Sequence, residues 1–233
     1  MRVCGRELAR IARGAGCADA ALATIEDFQT LLTRSSAPAV TTGMAAGLLA
    51  ELLVLNRLLD RSPSAWNAWR GPAGDRHDFR AGDTSLEVKA SLRSGAPTIT
   101  IHGLHQLEVP SGGTLHLIRV ILEPVSDGVL RVSDVVESAS SKADKPSRLA
   151  ELLAASGFTN ANAQEWDRYA FRHESEKIYE IRTGFPRLTP TVLKDASAIR
   201  GVQDVSYKID LSAAERFMCN AAVFHELELK LCS

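Results

Sequence analysis

Apolar and polar positions recur along the chain with periods that distinguish helices from strands. Residues 43–60 are apolar on nearly every side, which is typical of a buried helix. Residues 114–125, "TLHLIRVILEPV", predict one long strand, and "SDG" directly after them predicts a turn. Shorter strands are predicted at residues 77–80, 84–90, 97–101, 168–173, 176–182 and 203–210. Shorter helices are predicted at residues 6–13, 18–33, 133–140 and 145–156 and over the last twenty residues.

The order of these elements predicts the class of fold and the division of the chain. Helix, strands, helices and strands follow one another, which favours an α/β domain with a mixed central sheet flanked by helices. We expect a helical extension and linker at residues 1–42, the main domain at 43–217 and a helical tail at 218–233. Ser133 and Asp144 stand where they could cap the two middle helices.

Composition and charge mainly exclude classes of protein. The chain has 233 residues, 45% hydrophobic and 24% charged, which suits a globular protein with a sizeable core. No apolar stretch of about 18 residues is free of charge and no signal peptide is recognisable, so we expect a cytoplasmic protein without a membrane span. Four cysteines without a C-x-x-C pair predict reduced thiols. Because the net charge is −1, a nucleic-acid surface must be local, and residues 61–93 and 168–187 are the basic stretches.

The segment "HDFRAGDTSLEVKAS", residues 77–91, places an acid and a lysine two residues apart on a predicted strand near the middle of the chain. Side chains alternate across a strand, so Glu87 and Lys89 share one face. "AGDT" can close a tight hairpin in which residues whose numbers sum to 165 face each other. In that register Asp78 lies opposite Glu87, with Cβ atoms about 5 Å apart.

The predicted pair of carboxylates, Asp78 and Glu87, needs a positive charge nearby, because like charges at that distance repel. Mg²⁺ is an economical solution, since it takes one or two carboxylates and leaves room for water and a substrate phosphate. Lys89 would add a compact positive charge that can orient a water molecule or stabilise developing negative charge. The competing interpretation is an ordinary half-buried strand with its charged residues in solvent.

Glu51 is a third acid, placed on the predicted buried helix. Its neighbours three and four residues away are Gly47, Leu48, Val54 and Leu55. A carboxylate on that apolar surface is costly to bury without a partner. Either this side of the helix is partly exposed, or an arginine such as Arg57 reaches back, or one cation satisfies all three acids.

These residues resemble a known signature. Asp78, then Glu87-Val88-Lys89, with Glu51 on an upstream helix, resembles the PD-(D/E)XK nuclease superfamily. More narrowly, the chain is similar to short PD-(D/E)XK-motif proteins of bacterial restriction and phage-defence gene clusters. Five segments in order carry that likeness: "GLLAELLVLNRLL", "AWRGPAGDRHDFR", "LEVKAS", "FPRLTP" and "DVSYKIDLSAAERF".

The position of the first motif acid has one alternative. His77 stands where the motif has a proline, so Asp75, just after "GPAG", could be the functional acid instead of Asp78. Asp78 is preferred because it can face Glu87.

The resemblance implies a restriction-endonuclease-like fold and a metal-dependent endonuclease. Asp78 and Glu87 would hold Mg²⁺, for which Mn²⁺ can substitute, and Glu51 would be a further direct or water-mediated ligand. The backbone carbonyl of Val88 would complete the site. Lys89 would position the attacking water for in-line hydrolysis of a phosphodiester.

Gln106 is the last residue that the resemblance assigns to the site. It lies seventeen residues after Lys89, where related nucleases place a helper glutamine, in the predicted helical turn at residues 103–108. The Q-x-x-x-Y form is incomplete, because Pro110 stands in place of the tyrosine. An exposed helix glutamine is the competing interpretation.

The partners that the resemblance implies are double-stranded DNA, a second copy of the chain, and a methyltransferase or helicase encoded nearby. A two-fold homodimer suits the cutting of both strands. Two other functions stay open: a non-catalytic DNA-binding or assembly subunit, and a nuclease that acts on RNA. The complete set of Glu51, Asp78, Glu87 and Lys89 favours an enzyme, since a degenerate relative would commonly have lost one of them.

Three further pairs of side chains are weaker candidates for binding. Two histidines three residues apart could be half of a zinc site or could contact phosphate. Two loop tryptophans could stack on bases or pack the loop onto the core. An arginine and a histidine on a predicted strand could contact the DNA backbone. The pairs are His102 with His105, Trp66 with Trp69, and Arg172 with His173.

Overall fold

The computed structural model describes residues 39–92, 97–193, 202 and 204–233. Val40–Ser233 form one compact unit. The helices predicted at 6–13 and 18–33 and most of the predicted linker lie outside the described residues. The segment predicted as a separate tail, residues 218–233, contains a helix whose Leu227 and Leu231 pack into the main core.

The first described helix, α1, spans Thr42–Arg61 and runs through the core. It begins after Thr41, whose side chain accepts a hydrogen bond from the Met44 amide. Eleven of its residues are buried, as the nearly continuous apolar pattern predicts. By length and composition alone α1 could cross a membrane, but most of its apolar stretch is buried inside the domain, as in the core helix of a globular protein.

The central sheet has four strands in the order β1-β2-β4-β5. Strand β2 runs parallel to β4, whereas the pairs β1–β2 and β4–β5 are antiparallel, so the sheet is mixed. A separate two-stranded antiparallel sheet pairs β3 with β6. The strands are β1 (Phe79–Ala81), β2 (Thr84–Leu92), β3 (Thr98–His102), β4 (Thr114–Pro124), β5 (Phe171–Glu180) and β6 (Ser206–Asp210).

The hairpin register predicted from the sequence is confirmed. Phe79 pairs with Leu86, and each following pair keeps the same sum of residue numbers, 165. Gly82 adopts a φ of 55° in the two-residue turn, a conformation that glycine reaches without steric cost. This local turn therefore decides which side chains of β2 face Asp78.

Two hydrophobic cores lie on the two faces of the central sheet. Neighbouring residues of β4 point to opposite sides, and Ile118 belongs to one core while Leu117 belongs to the other. The first core is formed with α1 and the following helices; the second is formed with β3, β6 and the segment that includes Phe217. The mixed sheet flanked by helices confirms the predicted restriction-endonuclease-like α/β fold.

In the described part of the chain, the α-helices that follow α1 contribute buried residues to the first core, on the face of the sheet that α1 covers. Short 3₁₀ helices lie in connecting segments of the described residues, at Ala65–Ala68, Gly71–Ala73 and Leu211–Phe217. The α-helices are α2 (Val132–Lys142), α3 (Pro146–Ala155), α4 (Ala163–Trp166) and α5 (Ala221–Leu231).

Strand β5 differs from the prediction, which placed two strands at 168–173 and 176–182. The structure has one strand, because β5 pairs continuously with β4. The register shifts between Ile121 and Leu122, so that Glu174 is an extra residue in β5. A bulge interrupts the alternation of polar and apolar residues, which made the segment resemble two strands.

The predicted helix caps and the helical turn were wrong. Helix α2 begins at Val132, and the Ser133 amide and hydroxyl instead donate to Asp167, a residue distant in sequence. Helix α3 begins after Lys145, while Asp144 accepts a hydrogen bond from Trp66. Residues 103–108 contain turns without a helix.

Candidate active site

Asp78 precedes β1 and is attached to β2 through its side chain. Its Oδ2 accepts a 2.7 Å hydrogen bond from the amide of Val88. Its own carbonyl accepts hydrogen bonds from the amides of Arg70 and Gly71, at 2.7 and 3.0 Å. Asp78 is therefore held from two sides by backbone groups, which fixes its carboxylate beside the motif strand.

Glu87 lies beneath Lys89 on the same face of β2. The carboxylate of Glu87 is fully buried, and its Oε1 lies 2.7 Å from Lys89 Nζ at ion-pair distance. Its Oε2 has no hydrogen-bond donor among the described residues. A buried carboxylate oxygen without a donor is costly, so this group is suited to a further positive ligand.

Glu51 points from α1 toward the same place. Its Oε2 accepts a 2.8 Å hydrogen bond from the indole Nε1 of Trp69. The alternative in which Arg57 reaches back to it was wrong, because Arg57 pairs with Glu176 and Glu228.

The gap between Asp78 and Glu51 is lined by Gly71. A Cβ atom on Gly71 would lie 3.1 Å from Asp78 Oδ1 and 3.5 Å from Glu51 Oε2. The two carboxylate oxygens therefore border one small space, which the absence of a side chain at Gly71 keeps open.

Burial and mutual repulsion weaken the acidity of this cluster. The pKa of Glu51 is raised to about 8, first by burial and then by the charge of Asp78. The pKa of Glu87 is also raised to about 8 by the same two causes in the same order. Burial raises the pKa of Asp78, although Lys89 and the Val88 amide oppose the change. Burial lowers the pKa of Lys89, but the charges of Glu87 and Asp78 outweigh it, so that the pKa is raised.

A cleft of about 640 Å³ opens over these residues, between the start of α1 and strand β3. Glu51, Asp78, Val88, Lys89 and Gln106 all line it. A neighbouring cavity of about 480 Å³ shares Glu51, Asp78 and Gln106 with the cleft, so the acids lie where the two spaces meet.

The residues present fit a hydrated divalent cation better than a closed protein cage. Within residues 39–92, 97–193, 202 and 204–233, no three His, Cys, Asp or Glu side chains are already grouped as ligands. Mg²⁺ commonly keeps several waters and takes one or two carboxylates. The unpartnered Glu87 oxygen and the space bordered by Asp78 and Glu51 are the two observations that favour such an ion.

Val88 lines the cleft, and its backbone groups lie beside Asp78. In a strand, the N–H and C=O of one residue point to the same edge, and the Val88 N–H points to Asp78. Its carbonyl is therefore directed to the same edge of β2, where Val88 lines the cleft.

Gln106 also lies in the site. Its Oε1 accepts hydrogen bonds from Lys89 Nζ at 3.2 Å and from the His102 amide at 2.9 Å. The interpretation of an exposed helix glutamine was wrong, because the turn after β3 directs this side chain into the cleft. Gln106 thus connects the motif lysine to the second sheet.

The two candidate motif acids, Asp78 and Asp75, differ in exposure and in contacts. Asp75 is exposed and lies at the rim of the neighbouring cavity, whereas Asp78 contacts β2 directly.

The other candidate pairs have structural partners. His105 pairs with Glu108 at 2.8 Å, and no zinc ligand set forms with His102 among the described residues. Trp69 is 1% exposed, so the packing interpretation applies to it. Trp66 donates to Asp144. Arg172 and His173, on edge strand β5, pair with Glu123 and Glu176.

The sequence patterns did not identify Trp69 and Gly71 as site residues. The only signal was their place in "AWRGPAGDRHD", a loop that precedes the motif acid. A loop tryptophan ordinarily indicates packing, and its contact with Glu51 depends on how the loop folds over α1.

This arrangement of sheet, carboxylates and lysine is that of the PD-(D/E)XK superfamily. Members of that superfamily are generally nucleases. The family DUF4420, described as "Putative PD-(D/E)XK family member", matches residues 6–212 of the chain. The chain belongs to that family. A search of curated proteins and a search of solved structures each found no significant match.

Proposed function

We propose that this protein is a divalent-metal-dependent endonuclease that hydrolyses phosphodiester bonds of double-stranded DNA in a bacterial restriction or defence system. The observation that carries the proposal is that Glu51, Asp78 and Lys89 line one cleft of a PD-(D/E)XK fold, with the buried carboxylate of Glu87 2.7 Å from Lys89 Nζ. The defence context is supported by the resemblance of the five sequence segments.

The carboxylates of Asp78, Glu87 and Glu51 and the carbonyl of Val88 would hold Mg²⁺, with Mn²⁺ as a substitute. When bound, the cation supplies Lewis-acid polarisation of a phosphoryl oxygen and lowers the pKa of a water molecule. Glu87 would contribute through Oε2, the carboxylate oxygen that does not contact Lys89.

The side chain of Lys89 would supply a second positive charge, beside that of the metal ion. Gln106 accepts a hydrogen bond from its ammonium group and so restricts where Nζ can lie. From that position Lys89 can donate to an attacking water or to a phosphate oxygen, and its charge stabilises the negative charge that develops during in-line attack.

The proposal extends to the partners. Double-stranded DNA is the substrate, two copies of the chain cut the two strands, and a methyltransferase or helicase encoded nearby acts with them. A small net charge of −1 means that the DNA would be held by local contacts around the cleft.

The test is incubation of supercoiled plasmid with the purified chain in Mg²⁺ or in EDTA, on modified and unmodified DNA, with structured RNA in parallel. Asp78→Asn and Lys89→Ala should abolish cleavage. Asp75→Asn and Lys142→Ala are matched controls; Asp75 is exposed, and Lys142 pairs with Asp60 at the end of α2, so both variants should cut normally.

Three outcomes would contradict the proposal. Cleavage that persists in Asp78→Asn would exclude the assigned site. Plasmid that is bound but never cut, in any metal, would favour the non-catalytic subunit. Cleavage of RNA alone would replace DNA as the substrate.

A further inference from the structure

The segment Trp69–Gly71 contacts two of the proposed metal ligands at once. The Trp69 indole donates to the Glu51 carboxylate, and the amides of Arg70 and Gly71 donate to the Asp78 carbonyl. Glu51 and Asp78 come from different elements, α1 and the start of the hairpin. Their relative position therefore depends on this three-residue segment.

Trp69 is itself rigidly held. It is 1% exposed, its amide donates to the Trp66 carbonyl at 3.1 Å, and it forms an isolated antiparallel bridge with Phe79. A buried side chain in a fixed rotamer can hold a hydrogen-bond partner in one direction, because neither its backbone nor its ring is free to turn.

The orientation of the Glu51 carboxylate depends on the direction in which the Trp69 indole N–H points. The helical neighbours of Glu51 are apolar, and the described hydrogen bond to its carboxylate is the one from Trp69. With the indole donating to Oε2, the carboxylate borders the same space as Asp78 Oδ1. Without the indole N–H, the side chain would have other rotamers and no buried donor.

We propose that Trp69 is a positioning residue that directs Glu51 toward Asp78 and thereby sets the affinity of the site for a divalent cation. The inference rests on the proposed function, since it deepens the assignment of the metal site. Groups that hydrogen-bond to metal ligands commonly change metal affinity by about 10–100-fold when removed. Trp69 contacts no reacting atom and acts only through Glu51.

The test measures binding of Mn²⁺ alone to the full chain by isothermal titration calorimetry, without DNA. Trp69→Phe keeps most of the ring volume and removes the N–H donor, so it should weaken Mn²⁺ binding by about tenfold or more. Trp66→Phe is the matched control, because Trp66 also donates its indole N–H to a carboxylate, that of Asp144 at 2.6 Å, away from the cleft. It should bind Mn²⁺ as the parent does.

A double-mutant cycle separates positioning from packing. If Trp69 acts through Glu51, then Trp69→Phe should have no further effect on Mn²⁺ affinity once Glu51→Gln is present. An equal loss in the Glu51→Gln background would overturn the inference in favour of a packing role.

A measurement on the parent keeps the inference testable if Trp69→Phe does not fold. Addition of Mg²⁺ should shift the indole N–H resonance of Trp69 in an NMR spectrum and leave that of Trp66 unchanged. In Glu51→Gln the Trp69 shift should disappear. An unmoved Trp69 resonance at saturating Mg²⁺ would overturn the inference.

The outcomes distinguish the inference from the proposed function. If the parent binds Mn²⁺ and Trp69→Phe binds it equally well, the metal site stands and the positioning role fails. If the parent binds neither Mn²⁺ nor Mg²⁺, the proposed metal site fails and the positioning role fails with it.

Discussion

The amide of Val88 donates a 2.7 Å hydrogen bond to the carboxylate of Asp78, so the first motif acid is attached to the strand that carries the second. The ladder between β1 and β2 ends at the pair Phe79–Leu86, and beyond it this side-chain contact continues the pairing. The Asp78 side chain therefore has a structural role and a proposed ligand role, which substitutions can separate.

Asp78→Asn should leave the metal-free protein at least as stable as the parent. The amide oxygen of asparagine can still accept from Val88, and the loss of one negative charge relieves repulsion with Glu51 and Glu87. The variant should lose most of the rise in melting temperature that Mg²⁺ produces in the parent. Thermal melts with and without Mg²⁺ measure both effects.

Asp78→Ala is the informative comparison for Asp78→Asn. It removes the acceptor as well as the charge and leaves the Val88 N–H without its partner, at a cost of about 1–3 kcal/mol. Equal stability of the two variants would contradict the structural role of the hydrogen bond.

Lys89→Ala should abolish detectable cleavage, because the loss of one preorganised charge from an active site commonly lowers the rate by about 10²–10³-fold. Metal binding should persist, because lysine is not a ligand. Glu87 loses the ion pair at 2.7 Å, so metal-free Lys89→Ala should be destabilised more at pH 9 than at pH 6. Cleavage rates check the loss of activity, Mn²⁺ titration checks metal binding, and melts at the two pH values check the change in stability. A variant that no longer binds Mn²⁺ would contradict the statement that lysine is not a ligand.

Glu87 should make the metal-free protein less stable as the pH rises. Its pKa is about 8 in the folded chain against 4.5 as the reference, so between these values the folded state binds more protons than the unfolded state. The contribution is favourable at low pH and is lost as pH rises through about 8. Between pH 6 and 8 the free energy of unfolding of the parent should fall, relative to Glu87→Gln, by about 1–3 kcal/mol.

Denaturant unfolding of both proteins at several pH values measures that difference. Added Mg²⁺ should reverse the trend, because it binds the ionised carboxylates and stabilises the folded chain more at higher pH. A parent and a Glu87→Gln variant with parallel pH profiles would show that the buried charge is not the cause.

Gly71→Ala should weaken Mn²⁺ binding while the chain stays folded. The new Cβ would lie 3.1 Å from Asp78 Oδ1 and 3.5 Å from Glu51 Oε2, in the space that the two oxygens border. Gly47→Ala is the control, since Gly47 lines the same cleft but its Cβ would meet nothing within 4 Å. Calorimetric titration of both variants should show a loss for Gly71→Ala alone, and equal affinities would exclude this space as part of the metal site.

Local patterns in the sequence determined the buried helix α1, the strand that carries Glu87 and Lys89, and the hairpin register that faces Asp78 toward them. The helix follows from a nearly continuous apolar run, the strand from alternation and the register from a two-residue turn, and each of these patterns is local in the sequence. The apolar surroundings of Glu51 also predicted that it needs a partner, although they did not identify that partner.

Only the tertiary structure decided the contacts that join distant segments. Trp69 reaches Glu51 because a loop folds over α1, and Gln106 reaches Lys89 because the turn after β3 bends toward the cleft. In the same way Asp167, not Ser133, provides the acceptor at the start of α2. The resemblance pointed to Gln106 by its spacing from Lys89, but it did not give the contact itself. Such contacts depend on how separate elements pack, because packing selects partners by shape and burial across the whole domain.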